Sequence, residues 1–533
     1  MRPVLALGIR LAAILVVYGV LERWALGLGT LEEEAYAGTS ILIGVARRLL
    51  VPPDTLSIGF LARLGVTVAL LVAAWVKRRD LLAGWDEVDQ GVLLRILVGL
   101  AAGVLAWAYS TYAYNYYFDQ SHLGDRLVLV VLAVTLLWRP IFVFPFVLLT
   151  VAIVTQFYYP IGGYSVAEQY MLVRVLLLFG AFQLVRSVWP SVRASDVVYL
   201  VVTLVVAGYV AGGLGKLSLG WFGHGLVGLL LPGAYGNGWL HFLDPATIAA
   251  ITSTALRLDV VLVGFTFVVE VLAIFALVRR GALLLFLPIW MGFHLGVVAL
   301  SGIFFWKWIV FEIVLFALLL RRRESPALQI FSPAHALWSI PLILGGTVWF
   351  QPVNLSWYSV PVSYAYRLEV VDGAGNSAAV QPGDLAPYEY QFALAGFGYL
   401  SPYQQLPGNF GATSSRAQAR QVVAASTPAE VEALEVEIGR VPENPATAAA
   451  FDRLMRAFMV ARSDREPSRL RRWLGAPPQH LRFADSKTVE APGEWIELVV
   501  RQVPNFFDGR DYLELDSRIV RRIDLTSTSD GGA

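Results

Sequence analysis

The chain has 533 residues, a formal net charge of +1 and no cysteine, and it is 57% hydrophobic but only 15% charged. Soluble domains carry about 25% charged residues, so a mean hydropathy of +0.61 marks a polytopic helical membrane protein in contact with lipid. Near-neutral charge argues against nucleic acid as a partner, and the lack of cysteine excludes disulfides, thiolate metal sites and cysteine nucleophiles.

In chain order, the apolar run after Arg10 lacks a small-residue cleavage site and is expected to be a first anchor. Apolar runs predict spans at 5–27, 56–76, 91–115, 124–138, 140–159, 168–186, 196–216, 258–278, 281–302, 304–320 and 335–351. The run at 124–138 is short for a core of about 30 Å and is expected to be a half-helix closed by Arg139-Pro140. The expectation is an all-α transmembrane bundle of about 9–11 spans over residues 1–351. Basic residues fall at alternate loops, at Lys77-Arg78-Arg79, Arg139, Arg186 with Arg193, Arg279-Arg280 and Arg321-Arg322-Arg323. The positive-inside rule places these loops and the amino terminus in the cytoplasm and the carboxyl-terminal region outside. Arg47-Arg48 lies on the other side, in company with Glu32-Glu33-Glu34. The Arg-over-Lys and Ala/Val/Leu/Gly bias points to a GC-rich bacterium, hence to an inner membrane.

Near residue 352 charges, prolines and short alternating runs begin, the pattern of an extramembrane α+β region over 352–533. Tyr366 to Asn376 predicts a strand entering an Asp-Gly turn, and Trp495–Arg501 and Tyr512–Val520 predict two more strands. Thr427-Pro-Ala-Glu predicts a capped helix start, with a second helix over 446–463. Residues Ser527 to Ala533 are expected to be disordered. No internal repeat is visible.

An ionisable side chain inside an apolar span is costly and therefore a candidate for function. Lys216, one of four lysines, ends the seventh predicted span; Glu270 lies in the eighth, His294 in the ninth, and Lys307 and Glu312 in the tenth. At 1.5 Å per residue His294 lies about 12 Å below the outer helix end. The set is expected to converge on a cavity opening outward, beside the segment Tyr114-Asn-Tyr-Tyr-Phe-Asp-Gln-Ser-His122. Each residue also has a plainer role open to it. Lys216 and Lys307 can snorkel to headgroups, Glu270 can pair with a cation of a neighbouring span, and His294 can be a satisfied core histidine. Trp306 and Trp308 have the placement of an aromatic belt. His122 and His241 fall in loops, and His224 in a glycine-rich turn. No His-x-x-x-His or Glu-x-x-His pair occurs in a span, so no metal is expected. No phosphate-binding Gly-x-x-x-x-Gly-Lys-Ser/Thr loop and no Gly-x-Ser-x-Gly elbow occurs either. Ala211-Gly-Gly-Leu-Gly215 suits close helix packing better than phosphate binding.

Gly212-Gly-Leu-Gly-Lys-Leu-x-x-x-Trp221 resembles the Ala-Gly-x-x-Lys-Leu-x-x-x-Trp signature of the vitamin K-dependent γ-carboxylase-like membrane domain, with Gly212 in place of alanine. Gly292-Phe-His294 and the following Gly302-Ile-Phe-Phe305 resemble that family's Phe-His…Gly-Ile-x-Phe helix, and Glu270 lies mid-helix between the two motifs. The likeness covers residues 90–325; Asp119-Gln-Ser-His-Leu123 is only a loose counterpart of the family's Asn-His loop, and the carboxyl-terminal region has no visible counterpart. The resemblance implies an enzyme that deprotonates a reduced quinone with an active-site lysine, oxidises it with oxygen and uses the strong base so formed to carboxylate a peptide glutamate. On that basis Lys216 is the expected base, His294 and Glu270 orient or tune it, and Gly212, Gly213, Gly215 and Trp221 border the quinone. A free lysine is protonated at neutral pH, and desolvation is the expected means of making it a base. Two other classes stay open: a transporter or channel with Glu270, Lys307 and Glu312 along a proton or solute path, and a non-catalytic scaffold that anchors a binding domain.

Overall fold

In hydrocarbon every peptide N–H and C=O must find its partner within the segment or with a neighbouring one, so apolar runs fold as helices. The structure, a computed structural model, describes residues 2–526 apart from 32–34, 37, 39, 51–56, 89–92, 113–121, 157–166, 224–225, 322–325, 353–355, 381–384, 386–387, 389–395, 407, 409, 464–473 and 478–494. The expected loop segment Tyr114 to Ser121, His224, Glu32-Glu33-Glu34, Arg322-Arg323 and the tail Ser527 to Ala533 lie outside the described residues.

The helical region runs α1 (Arg2–Gly29), α2 (Ile41–Leu50), α3 (Ile58–Val76), α4 (Leu93–Thr111), α5 (Leu123–Trp138), α6 (Val143–Thr155), α7 (Ala167–Val188) and α8 (Ala194–Leu219). It continues with α9 (Leu230–Gly236), α10 (Pro245–Arg257), α11 (Asp259–Glu270), α12 (Arg280–Ser301), α13 (Trp306–Arg321) and α14 (Pro333–Trp349). All eleven predicted spans are therefore helical over most of their length, but the count of spans is lower than the 9–11 expected. Among the described residues six helices are long and apolar enough to cross a membrane, and a seventh is added if α10 and α11, bent by 66° at Leu258, count as one broken span. The difference is one of length: α5 and α13 have 16 residues, which rise about 24 Å against a hydrocarbon core of about 30 Å.

Helix α8 is the axis of the bundle. Its 26 residues are buried through most of their length, with Leu214 and Leu217 near its carboxyl end exposed, and it packs against α1, α7, α11 and α14. Helix α3 is the opposite case. Leu61, Val68, Leu71, Val72 and Trp75 all face outward, which an aqueous protein would not tolerate and a bilayer favours.

The carboxyl-terminal region is built on antiparallel strands. Strand β2 (Val362–Asp372) pairs with β5 (Trp495–Phe507) in a register running from Val362 opposite Phe506 to Val371 opposite Glu497. The sheet order is β3 (Ser377–Val380), β2, β5, β6 (Tyr512–Glu514), with β7 (Arg518–Asp524) also on β5; β1 (Tyr358–Ser359) and β4 (Ala412–Thr413) form a separate pair. The Asp-Gly turn after β2 is closed by Asp372, whose carboxylate accepts from the Ala374 and Asn376 backbone N–H groups at 2.9 and 2.8 Å. Three helices follow β4: α15 (Arg416–Ala424), α16 (Pro428–Ile438) and α17 (Pro445–Ser463). Thr427 caps α16 by accepting from Glu430 N, as its sequence predicts.

The sheet seats on the short helix α9. Phe410 and Tyr512 share an apolar cluster with Leu231, Ala234, Tyr235 and Trp239. A Cβ on Gly233 would come within 2.8 Å of the Phe410 carbonyl oxygen, and one on Gly236 within 2.5 Å of Asn505 Nδ2. Further bonds join Tyr112 OH to Pro477 O at 2.8 Å and Trp107 Nε1 to Leu474 O at 2.7 Å. These contacts gather at the carboxyl ends of α4 and α8. The basic residues sit at the other end, where Arg10 holds Asp196 at the start of α8 at 2.7 Å and Arg139 Nη1 donates to Leu82 O at 3.0 Å.

Candidate functional site

Two groups of ionisable side chains lie along one face of α8. The first is at its carboxyl end. Lys216 Nζ donates to both oxygens of Glu270 on α11, each at 2.8 Å, and both residues are buried, at 8% and 5% exposure. A bidentate contact of this kind satisfies the carboxylate and offsets the desolvation of the amine. The Trp221 ring lies 5.5 Å from Nζ, within cation–π range. Lys216 is thus buried with Glu270 of a neighbouring helix as its partner, the pairing that the sequence left open to Glu270.

The glycines explain how the two helices come close enough. A Cβ on Gly212 would stand 3.3 Å from Glu270 Oε1, and one on Gly213 would stand 2.9 Å from the Glu270 carbonyl carbon and oxygen. Gly212 and Gly213, expected to border a flat ring, border Glu270 and Val271 instead, in the manner of small-residue packing in membranes. Gly215 is half-buried, and Leu214 and Leu217 beside it are exposed toward lipid.

The second group lies seven residues earlier, two helical turns and about 10 Å along the same face. The Tyr209 hydroxyl is 2.7 Å from His294 Nε2 on α12 and donates to Glu312 Oε1 on α13. His294 Nε2 and Glu312 Oε1 are 3.8 Å apart. Trp290 stacks on the Tyr209 ring at 4.4 Å with planes 8° apart, and Trp308 meets it edge-on at 5.7 Å. Gly208 makes room for that indole, since a Cβ there would come within 2.7 Å of Trp308 Cη2. Among the described residues His294 Nδ1 and Glu312 Oε2 are buried with no hydrogen-bond partner.

The expected set therefore meets by direct contact in two clusters, with Lys216 and Glu270 in one and His294 and Glu312 in the other. Lys307 does not snorkel; it is fully buried, with its ammonium 4.8 Å from the Trp306 ring. Trp306 is buried and meets Trp107 edge-on, so it is a packing residue and not part of an interfacial belt. His122 is buried at the start of α5, its Nε2 2.9 Å from Gly38 O, and His241 contacts Tyr235 across α9. Tyr209 is the residue that sequence reasoning missed. Its signal was available: a tyrosine hydroxyl inside a span needs a partner, and its spacing from Lys216 puts the two on one helix face.

Long apolar helices, a lipid-facing surface and ionisable residues turned to the bundle interior define an integral, polytopic membrane protein with six to seven spans. No protein family, no curated protein and no solved structure matches the chain.

Proposed function

We propose that the chain is a membrane-embedded enzyme acting on a reduced quinone, with Lys216 as its base and carboxylation of glutamate in a peptide or protein as the output that the γ-carboxylase resemblance implies. The observation that supports it best is the buried Lys216–Glu270 pair at the end of an apolar helix. Moving one proton across 2.8 Å from Nζ to a Glu270 oxygen converts an ion pair into a neutral amine and a neutral acid. No net charge enters the apolar interior in that step, and the amine becomes able to accept a proton from a substrate hydroxyl. Glu270 is then the residue that orients Lys216 and stores its proton.

A reduced quinone supplies the acidic hydroxyls and the two electrons. Trp221 offers an aromatic face beside Nζ, and the lipid-exposed Leu214 and Leu217 put the approach within the bilayer. The Gly212 and Gly213 faces are filled by α11, so the ring is assigned to the Trp221 and Gly215 side. Residues 1–351 carry the chemistry in this proposal and 352–533 meet the peptide partner. The positive-inside rule puts the amino terminus in the cytoplasm of a bacterial inner membrane and the sheet outside; the separation of basic loops and sheet to opposite ends of the bundle supports that sidedness.

The test is purification in native lipid with mass spectrometry for co-purifying quinone, followed by quinol oxidation assays. Lys216→Ala is expected to abolish turnover while the thermal unfolding profile keeps a single cooperative transition. Normal turnover by that variant would refute the role of Lys216. A second reading, a proton or solute path, draws on the 66° break between α10 and α11, since broken helices line transport sites. Flux into proteoliposomes that depends on Glu270, with no quinol turnover, would favour it.

A further inference from the structure

The lysine pair leaves the second cluster without a task. Tyr209, His294 and Glu312 come from three helices and are sealed by Trp290, Trp308 and Phe305, whose ring is 5.2 Å from the imidazole. Most buried polar groups of a folded protein are hydrogen-bonded. This cluster is bonded in its middle and open at both ends, at His294 Nδ1 and Glu312 Oε2.

We infer that Tyr209, His294 and Glu312 form a proton relay through the bundle interior. The hydroxyl of Tyr209 has one proton and two neighbours, so it donates to one and accepts from the other. With Glu312 ionised, Tyr209 donates to Oε1 and His294 Nε2–H donates to the tyrosine oxygen. A proton arriving at Nδ1 pushes the Nε2 proton onto the tyrosine oxygen, and the tyrosine proton moves onto Glu312. The end state has a carboxylic acid that donates to Tyr209, a hydroxyl that donates to Nε2, and an imidazole proton on Nδ1. One proton has entered, two have hopped and every residue keeps its ordinary valence. The reverse sequence returns the proton to Nδ1. Nothing but the three side chains is needed, and 2.7 Å between Tyr209 and His294 is within transfer range.

The relay's purpose rests on the quinol chemistry proposed above: a base that takes a proton in each turnover has to be reset, and Tyr209 stands on the same helix face as Lys216. Its existence does not depend on that chemistry, which makes the two separable. Tyr209→Phe keeps the ring on Trp290 and removes only the central hydroxyl. In lipid nanodiscs without quinol, infrared spectra of the wild type are expected to show a carboxylic-acid C=O band that shifts in D2O, disappears in Glu312→Gln and changes frequency in both Tyr209→Phe and His294→Gln. Glu270→Gln is the control, because Glu270 is the buried carboxyl held by Lys216, outside the relay. With quinol, Tyr209→Phe is expected to slow turnover roughly ten- to a hundred-fold, leave KM unchanged and alter the solvent isotope effect. A Glu312 band indifferent to Tyr209→Phe, or no Glu312 band at all, overturns the relay. Wild-type turnover and isotope effect in Tyr209→Phe overturn it as well. A wild type that does not oxidise quinol sinks the quinol chemistry and leaves the infrared result to decide the relay.

Discussion

The sheet and the bundle each bury a tyrosine-centred polar network, and they finish it differently. In the sheet, Tyr364 OH donates to Glu435 Oε1 at 2.8 Å and accepts from Leu406 N at 2.8 Å, while Tyr366 OH accepts from Gln405 and Gln502, each at 3.1 Å. Glu435 is also 3.6 Å from Arg518. In the bundle, Tyr209 is matched but its two neighbours each keep an unmatched buried atom. An unmatched buried polar atom costs about 1–3 kcal/mol. In the relay inferred above, the two unmatched atoms of the bundle network are the points where a proton enters and leaves.

Four substitutions or conditions break or sharpen this contrast. The largest effect is expected from Glu270→Leu, which leaves the Lys216 ammonium buried without its carboxylate and should cost about 3–5 kcal/mol. Adding Lys216→Met should restore most of that stability, as measured by thermal unfolding in nanodiscs, yet leave turnover absent. A double variant that is both stable and active would reduce the pair to packing. Next is Gly213→Val, whose Cβ meets the Glu270 backbone at 2.9 Å; overpacking of about 1–3 kcal/mol is expected, with loss of turnover because α8 and α11 are forced apart. Tyr364→Phe comes third. It leaves Glu435 and Leu406 N without their hydroxyl and is expected to cost about 1–2 kcal/mol, with quinol oxidation unchanged; a loss of turnover in folded protein would erase the distinction between the two networks.

The smallest effect concerns pH. Burial lowers the pKa of His122 below its ordinary 6.5, so the folded protein favours the neutral ring. Its contribution is complete above that ordinary value and is lost as pH falls through it toward the lower folded value. The unfolding midpoint should decline as pH falls below the ordinary 6.5, and His122→Gln should flatten that slope. An identical slope in the variant would assign the effect to another group.

Much of this was legible in the amino-acid order, and the illegible part has a physical cause. Hydropathy placed the long helices of the bundle, because lipid and a packed core both ask for apolar residues, and missed the shorter α2, α9 and α10. Hydropathy does not report length: α13 has 16 residues, apolar on the face packed in the bundle and at the exposed Ile313 and Leu320 alike. Lys216, Glu270, His294 and Glu312 stood out as ionisable residues in apolar runs. Which of them meet did not, since pairing Lys216 with Glu270 depends on how closely α8 and α11 approach, and Gly212 and Gly213 permit that approach. Thr427 and Asp372 were legible because capping and turn chemistry are local. Tyr209 was not, because its two partners are 85 and 103 residues away in the chain.

The seating of the sheet on α9 has a consequence for how the two regions operate. Gly233 lets the backbone of the turn at Phe410, and Gly236 the side chain of Asn505 on β5, rest directly on a helix of the bundle, with Tyr235 and Tyr512 edge-on at 5.0 Å. A tail fastened in this way is no free-swinging arm. Shortening the chain at residue 351 would do more than discard a handle: it would strip Leu231, Tyr235 and Trp239 of their cover and give the bundle a sticky end.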